Sequence, residues 1–166
     1  FLKHQLAKVT SETIFSPTII SIEEFVEEMS QLKSISSTEL LFHFYNTYIQ
    51  LTKDSEPDSF ESFSKWAQIL LQDFNEIDRY LIPQKNIFNY LSAIQDLKHW
   101  SLEEKKTEFV KKYLAFWNKL HIYYTHFKEQ LLNKKKGYQG LIYREAVENL
   151  ESYIQNNSKK QHVFLG

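Results

Sequence analysis

Phe60-Glu61-Ser62-Phe63-Ser64-Lys65-Trp66-Ala67-Gln68-Ile69-Leu70-Leu71-Gln72-Asp73-Phe74-Asn75-Glu76-Ile77-Asp78-Arg79-Tyr80-Leu81 is the stretch that decides the fold class. Phe60, Phe63, Ala67, Leu70, Phe74, Ile77 and Leu81 recur at spacings of 3, 4, 3, 4, 3 and 4, with Trp66 and Tyr80 beside them. Such a stripe lets a helix bury one face and wet the other, and here it runs for about six turns. Asp58 or Ser59 is placed to cap its start. Pro83, which cannot continue a helix, is expected to end or redirect it.

The same pattern extends to both sides. Leu41, Phe44, Tyr45, Tyr48 and Leu51 predict a helix beginning near Thr38, after a turn at Ser34, Ser36 and Ser37. Downstream, Ile87, Tyr90, Leu91 and Ile94 predict a helix over 84–97. Ser101 with Glu104 forms a capping box that opens the longest helix, Leu102 to Asn133. That helix carries two stripes, Phe109, Tyr113, Phe116, Leu120, Tyr123 and Phe127 beside Val110, Leu114, Trp117 and Tyr124. An apolar arc so wide marks a central helix with more than one neighbour. Lys134, Lys135 and Lys136 suit its negative C-terminal end, and Gly137 its left-handed stop. A last helix is predicted over 139–155, with Ile142, Ala146, Leu150 and Ile154 inward.

Toward the N-terminus, Phe1 to Val9 reads as the end of a helix. The β-branched run after Pro17 predicts a short strand over 18–21, then a helix to Leu32 capped by Ser21 with Glu24. His162 to Leu165 reads as the start of a second strand. The fold class is therefore mainly α: a bundle of about six helices with two short strands.

Composition agrees with a single folded unit. The 166 residues include thirteen Phe, ten Tyr and three Trp but only three Gly and three Pro. A chain of this length buries roughly 70% of its unfolded surface. Cysteine is absent, which excludes disulfides and cysteine zinc sites. No apolar run approaches the roughly 18 residues that span a bilayer, and the first residues do not show a basic stretch followed by an apolar one. A cytoplasmic location with no membrane contact is expected. Both ends look cut from a longer protein.

Charge is uneven. Residues 1–100 carry 8 Lys/Arg against 14 Asp/Glu, whereas residues 101–166 carry 12 against 7. Nucleic-acid contact, which needs cations for phosphates, is therefore expected to be local and C-terminal. Lys134, Lys135 and Lys136 with Tyr138 and Arg144 form the candidate patch. The plainer reading is a helix end decorated with favourable charge.

Catalytic signatures are lacking. Three glycines cannot build a phosphate loop, and no G-K-[ST] occurs. Asp73, Glu76 and Asp78 invite a metal reading, but Asp78 lies about 140° around the helix from Asp73. These acids are expected to be solvated or to pair with Arg79 and other cations. His121 and His126, five apart, do not share a helix face as ligands four apart would. No cofactor or metal is expected, and the segment is expected to have no enzymatic activity of its own.

Asp73 to Leu81, with Tyr138-Gln139-Gly140-Leu141-Ile142-Tyr143-Arg144-Glu145 further on, resembles the helical part of an inactivated superfamily I helicase domain. Such domains open the AddB-like subunits of bacterial helicase–nucleases, many of which end in a PD-(D/E)XK nuclease. Pro17 to Phe25, Phe63 to Asp78 and Phe116-Trp117 are also similar to that family. The resemblance implies that 1–33 belongs to a truncated RecA-like core, 34–137 to the helical insertion called subdomain 1B, and 138–166 to a return helix and strand stub. It implies that Ile19 to Phe25 stands at helicase motif Ia, which touches single-stranded DNA in active relatives and adds Ser21 to the candidate contacts. It implies that Val163 to Gly166 stands at the Walker B strand, with Gly166 where an Asp is expected. The implied role is a non-catalytic arm in double-strand-break processing and recombinational repair. Its partners would be DNA and the active helicase subunit of an AddAB-type complex. An all-α protein-interaction module without DNA contact, and a helical lipid-handling domain with a large apolar cavity, are the alternatives.

Overall fold

The computed structural model describes residues 2–10, 13, 15–53, 56–88, 90 and 108–165, with side chains in the last range from Lys119 onward. The described chain is mainly helical with two short parallel strands. In order these are α1 (Leu2–Val9), α2 (Ile22–Ser30), β1 (Lys33–Ser34), α3 (Ser37–Leu51) and α4 (Phe60–Arg79). A short helical stretch over 84–88 (α5) follows. Then come α6 (Glu108–Asn133), β2 (Lys136–Gly137), α7 (Gln139–Glu148) and α8 (Leu150–Asn156). Among the described residues no helix is long and apolar enough to cross a membrane.

The α4 stripe forms as its spacing requires. Phe63, Ala67, Leu70, Phe74 and Ile77 are buried, and Ser59 is the cap, accepting from the Ser62 amide. The stripe meets the α3 residues Leu40, Leu41, Phe44 and Tyr48 and the α6 residues Leu120, Tyr123, Tyr124, Phe127 and Leu131 in one core. Phe44 is its hub: fully buried, it lies 5.4 Å from Phe63, 5.9 Å from Phe74 and 5.0 Å from Phe127, ring centre to ring centre. Rings at these separations and tilts add an attraction beyond the apolar area they remove from water. Ser36 caps α3 one turn before its first core residue. At Ser21 both halves of the capping box close: Ser21 Oγ accepts from the Glu24 amide at 3.1 Å, and Glu24 Oε2 accepts from the Ser21 amide at 2.9 Å.

Three helix ends differ from expectation. α4 stops at Arg79, four residues before Pro83, because Leu81 turns left-handed with φ 54°. The Ile82 amide then reaches the Ile77 carbonyl at 2.9 Å and the Leu81 amide that of Asp78 at 3.0 Å. These are the two bonds of a Schellman stop, with leucine where glycine is usual. α6 likewise ends at Asn133 through Lys135, φ 53°, and not through Gly137. Gly137 instead lies in β2, where an added Cβ would stand 3.0 Å from Ile142 Cγ1 and 3.3 Å from Leu32 Cδ1. The last helix breaks at Asn149, which leaves Leu150 and Ile154 exposed, contrary to the inward placement predicted for them.

The strands are also displaced. Residues 18–21 pair with nothing among the described residues, and 162–165 are irregular rather than a strand. The strands that form follow helix ends: Lys33 lies opposite Lys136 and Ser34 opposite Gly137, in parallel register. A strand exists only where a second backbone supplies partners for its amides and carbonyls. The exits of α2 and α6 bring two backbones together, whereas the β-branched run at 18–21 is given none. The predicted Ser101–Glu104 capping box, the 91–97 part of the predicted helix and the side chains of the first half of the long helix lie outside the described residues.

α7 packs against both α2 and α4. Gly140 permits this: an added Cβ would fall 2.1 Å from the Asn75 carbonyl oxygen, so the two helices touch backbone to backbone. The Gly140 amide, unsatisfied at a helix start, donates to Asn75 Oδ1 at 2.8 Å.

Candidate functional site

Asp78 follows Ile77 on the buried face of α4 and is fully enclosed. Its Oδ1 accepts from Arg144 Nε at 2.7 Å, from Tyr124 OH at 2.5 Å and from Gln84 Nε2 at 3.3 Å. Its Oδ2 accepts from Tyr138 OH. Arg144 Nη2 donates to the carbonyls of Ile77, at 3.0 Å, and Ile82, at 2.8 Å. One guanidinium therefore neutralises the carboxylate and closes the Schellman stop of α4, whose C-terminal dipole end favours a cation. Burial pushes the Tyr138 and Tyr124 hydroxyls far up from their ordinary values, and the adjacent Asp78 charge adds to it. Both phenols accordingly remain donors. The network ties α4, α5, α6, α7 and the Tyr138 linker at one point.

This arrangement does structural work. Every oxygen of Asp78 is occupied and none faces solvent, so the acid is not solvated and does not pair with Arg79. Arg79 lies instead 3.9 Å from Glu76 on the exposed side of α4. Arg144, a candidate DNA contact, is withdrawn from that role because its side chain is buried and its nitrogens are engaged within the fold. Asp73 is exposed, away from Asp78, and the described residues hold no group of three His, Cys, Asp or Glu fit for a metal.

The lysines are arranged differently. Lys134 and Lys135 form the turn that ends α6, and Lys136 begins β2. Lys136 Nζ bonds Glu39 Oε1, at the start of α3. Lys134 Nζ lies 3.1 Å from His43 Nδ1, one helical turn further along α3. An ammonium only donates, so Nδ1 carries the lone pair and the neutral ring keeps its proton on Nε2. That nitrogen faces Glu39 Oε1 at 3.6 Å. Burial first, and then the positive charges of Lys134 and Lys136, pull His43 below its ordinary value. The bond from Lys136 holds the Glu39 carboxyl down in turn. Lys135 makes no ion pair among the described residues. Lys33, opposite Lys136, pairs with Glu27 at 2.9 Å. Ser21 is exposed and its hydroxyl is used as the α2 cap.

The structure thus keeps Lys134, Lys135 and Lys136 together, sets Ser21 on a separate helix start and buries Arg144. Sequence reading missed Lys33, His43, and the roles of Tyr124 and Tyr138. Lys33 and His43 reach the turn through strand register and helix packing, which no local pattern encodes. A weak signal did exist for the network, since Asp78 stands four residues after Phe74 and Arg144 three after Leu141, both on apolar faces.

Compared with known protein families, with curated proteins and with solved structures, the chain matches none.

Proposed function

We propose that this chain is a non-catalytic arm of an inactivated helicase domain, of the AddB-like kind, acting in the processing of DNA double-strand breaks. It guides DNA past the bundle through phosphate contacts at Lys134, Lys135 and Lys136, beside an active helicase subunit of an AddAB-type complex in the cytoplasm. The observation that carries the reading is the geometry of this turn. Three consecutive lysines leave the end of the long α6 on a backbone held by the β1–β2 ladder. Two of them, Lys134 and Lys135, have no carboxylate partner among the described residues. The resemblance adds support of a limited kind. Its most specific segment, 73–81, meets the weaker match at 138–145 through Asp78 and Arg144, so the residues that carry the resemblance hold the fold together rather than contact DNA.

Fluorescence anisotropy with single-stranded and tailed duplex DNA tests the reading. Affinity that weakens steeply with salt, and falls when the three lysines become Ala, is expected. No binding at low salt excludes DNA guidance.

A second reading has its own observation. Ile19, Ile20 and Ile22 around the start of α2, Leu150 and Ile154 on α8 and Phe164 beyond it are exposed apolar side chains. They favour a protein-docking module, whose binding to a partner would be insensitive to salt.

A further inference from the structure

The sequence-derived patch leaves out an imidazole that is built into it. His43 lies in contact with the basic turn, yet it belongs to α3 and stands 91 positions from Lys134 in the chain. Its Nδ1 receives the Lys134 ammonium, and its Nε2 faces Glu39, which also holds Lys136. The charged groups that face the ring are therefore Glu39 from its own helix and Lys134 and Lys136 from the turn and β2. In the free protein both lysines are turned toward α3 rather than toward a ligand.

Resting on the DNA-guiding reading, we infer that His43 is a fourth phosphate contact of this turn, taking up a proton as a nucleic-acid backbone binds. A phosphodiester approaching Lys134 draws its ammonium away from His43 Nδ1. The freed lone pair then takes a proton from solvent, and the resulting imidazolium faces one carboxylate and one phosphate. The negative charge of the phosphate offsets Lys134 and Lys136, the same charges that disfavour the imidazolium in the free protein. Proton uptake and phosphate binding are thus linked, and each strengthens the other. Of the cations of this turn, Lys134 and Lys135 are the ones without a carboxylate among the described residues. The salt slope for a single strand is then about −1.4, two phosphates at roughly 0.7 each. The additional contact steepens it by about 0.7 in acid.

The test is anisotropy of a labelled oligothymidylate with the intact chain at constant ionic strength, near pH 8 and near pH 5.5, beside His43→Gln. The expected result is roughly three- to tenfold tighter binding at the lower pH, a steeper salt slope there, and loss of both effects in His43→Gln. Unchanged circular dichroism and melting of that variant at pH 8 establish that it is folded. A second readout on the wild type is the imidazole resonance of His43 followed through a pH titration with and without the oligonucleotide, with an upward shift of its midpoint expected. Binding that does not change with pH, a pH effect that survives in His43→Gln, or an unmoved midpoint overturns the inference and leaves the DNA-guiding reading in place. Absence of binding at either pH in low salt removes both.

Discussion

Arg144 on α7 places Nε 2.7 Å from Asp78 Oδ1 on α4 and Nη2 within 3.0 Å of the Ile77 and Ile82 carbonyls. The pair is 66 residues apart in sequence and almost wholly buried. Its consequence is positional. It fixes the angle at which α7 leaves the bundle, and with it Tyr138 and the strand that follows the lysine turn.

Breaking one half of this pair strands the other as a buried charge. Arg144→Met and Asp78→Leu should each cost about 3–5 kcal/mol in chemical denaturation. The double variant should lose far less than the sum, because it leaves no unpaired charge. Strict additivity would mean the two residues do not depend on each other.

Phe74 has no exposed surface and touches Phe44, Phe88 and Tyr124. Phe74→Ala should lower stability by about 3–5 kcal/mol, since the surrounding rings cannot collapse into the space left. Melting like that of the wild type would contradict the burial of the stripe.

The legibility of the fold divides along the same physical line. The core stripe of α4, the cap at Ser59 and the capping box at Ser21 and Glu24 all depend on residues within a turn of one another. Periodicity and cap chemistry reveal them directly. The helix stops at Leu81 and Lys135 were not legible, because each takes the left-handed conformation without being the glycine that usually signals it. The strands were misplaced for a related reason: β-branched residues mark a preference, while pairing needs a partner brought by the fold. The lysines of the candidate site were legible as a run, but His43 and Lys33 join them only through packing. Arg144 was misassigned because charge alone does not say whether a cation faces water or a buried carboxylate.

Leu81 holds φ 54°, a conformation that costs a residue with a Cβ roughly 1–2 kcal/mol. It is also exposed, so little packing is lost on its removal. Leu81→Gly should therefore stabilise the protein by about 0.5–1 kcal/mol, the gain being reduced by the greater freedom of glycine in the unfolded chain. A fall in melting temperature would contradict the assigned stop.

His43 sets a pH dependence of stability whose sign follows from its direction of shift. Its folded value lies below the 6.5 of a free imidazole, so between the two the unfolded chain binds more protons. Stability should decline as pH falls below 6.5, and His43→Gln should flatten that part of the curve. The carboxylates Glu27 and Glu39, held low by Lys33 and Lys136, act in a separate window. Their stabilisation is full above 4.5 and is lost as pH falls through their depressed values. An unaltered profile in His43→Gln between neutrality and 4.5 would contradict the placement of the ring.

The most direct measurement is salt-titrated DNA anisotropy of three proteins side by side: wild type, Lys134→Ala/Lys135→Ala/Lys136→Ala, and Arg144→Met under conditions where it remains folded. The expected result is salt-sensitive binding by the wild type, loss of most of it in the triple variant, and wild-type affinity and slope in Arg144→Met. Equal binding by the triple variant and the wild type, or no binding by any of the three in low salt, would contradict a DNA-guiding turn whose contacts are the three lysines and not the buried Arg144.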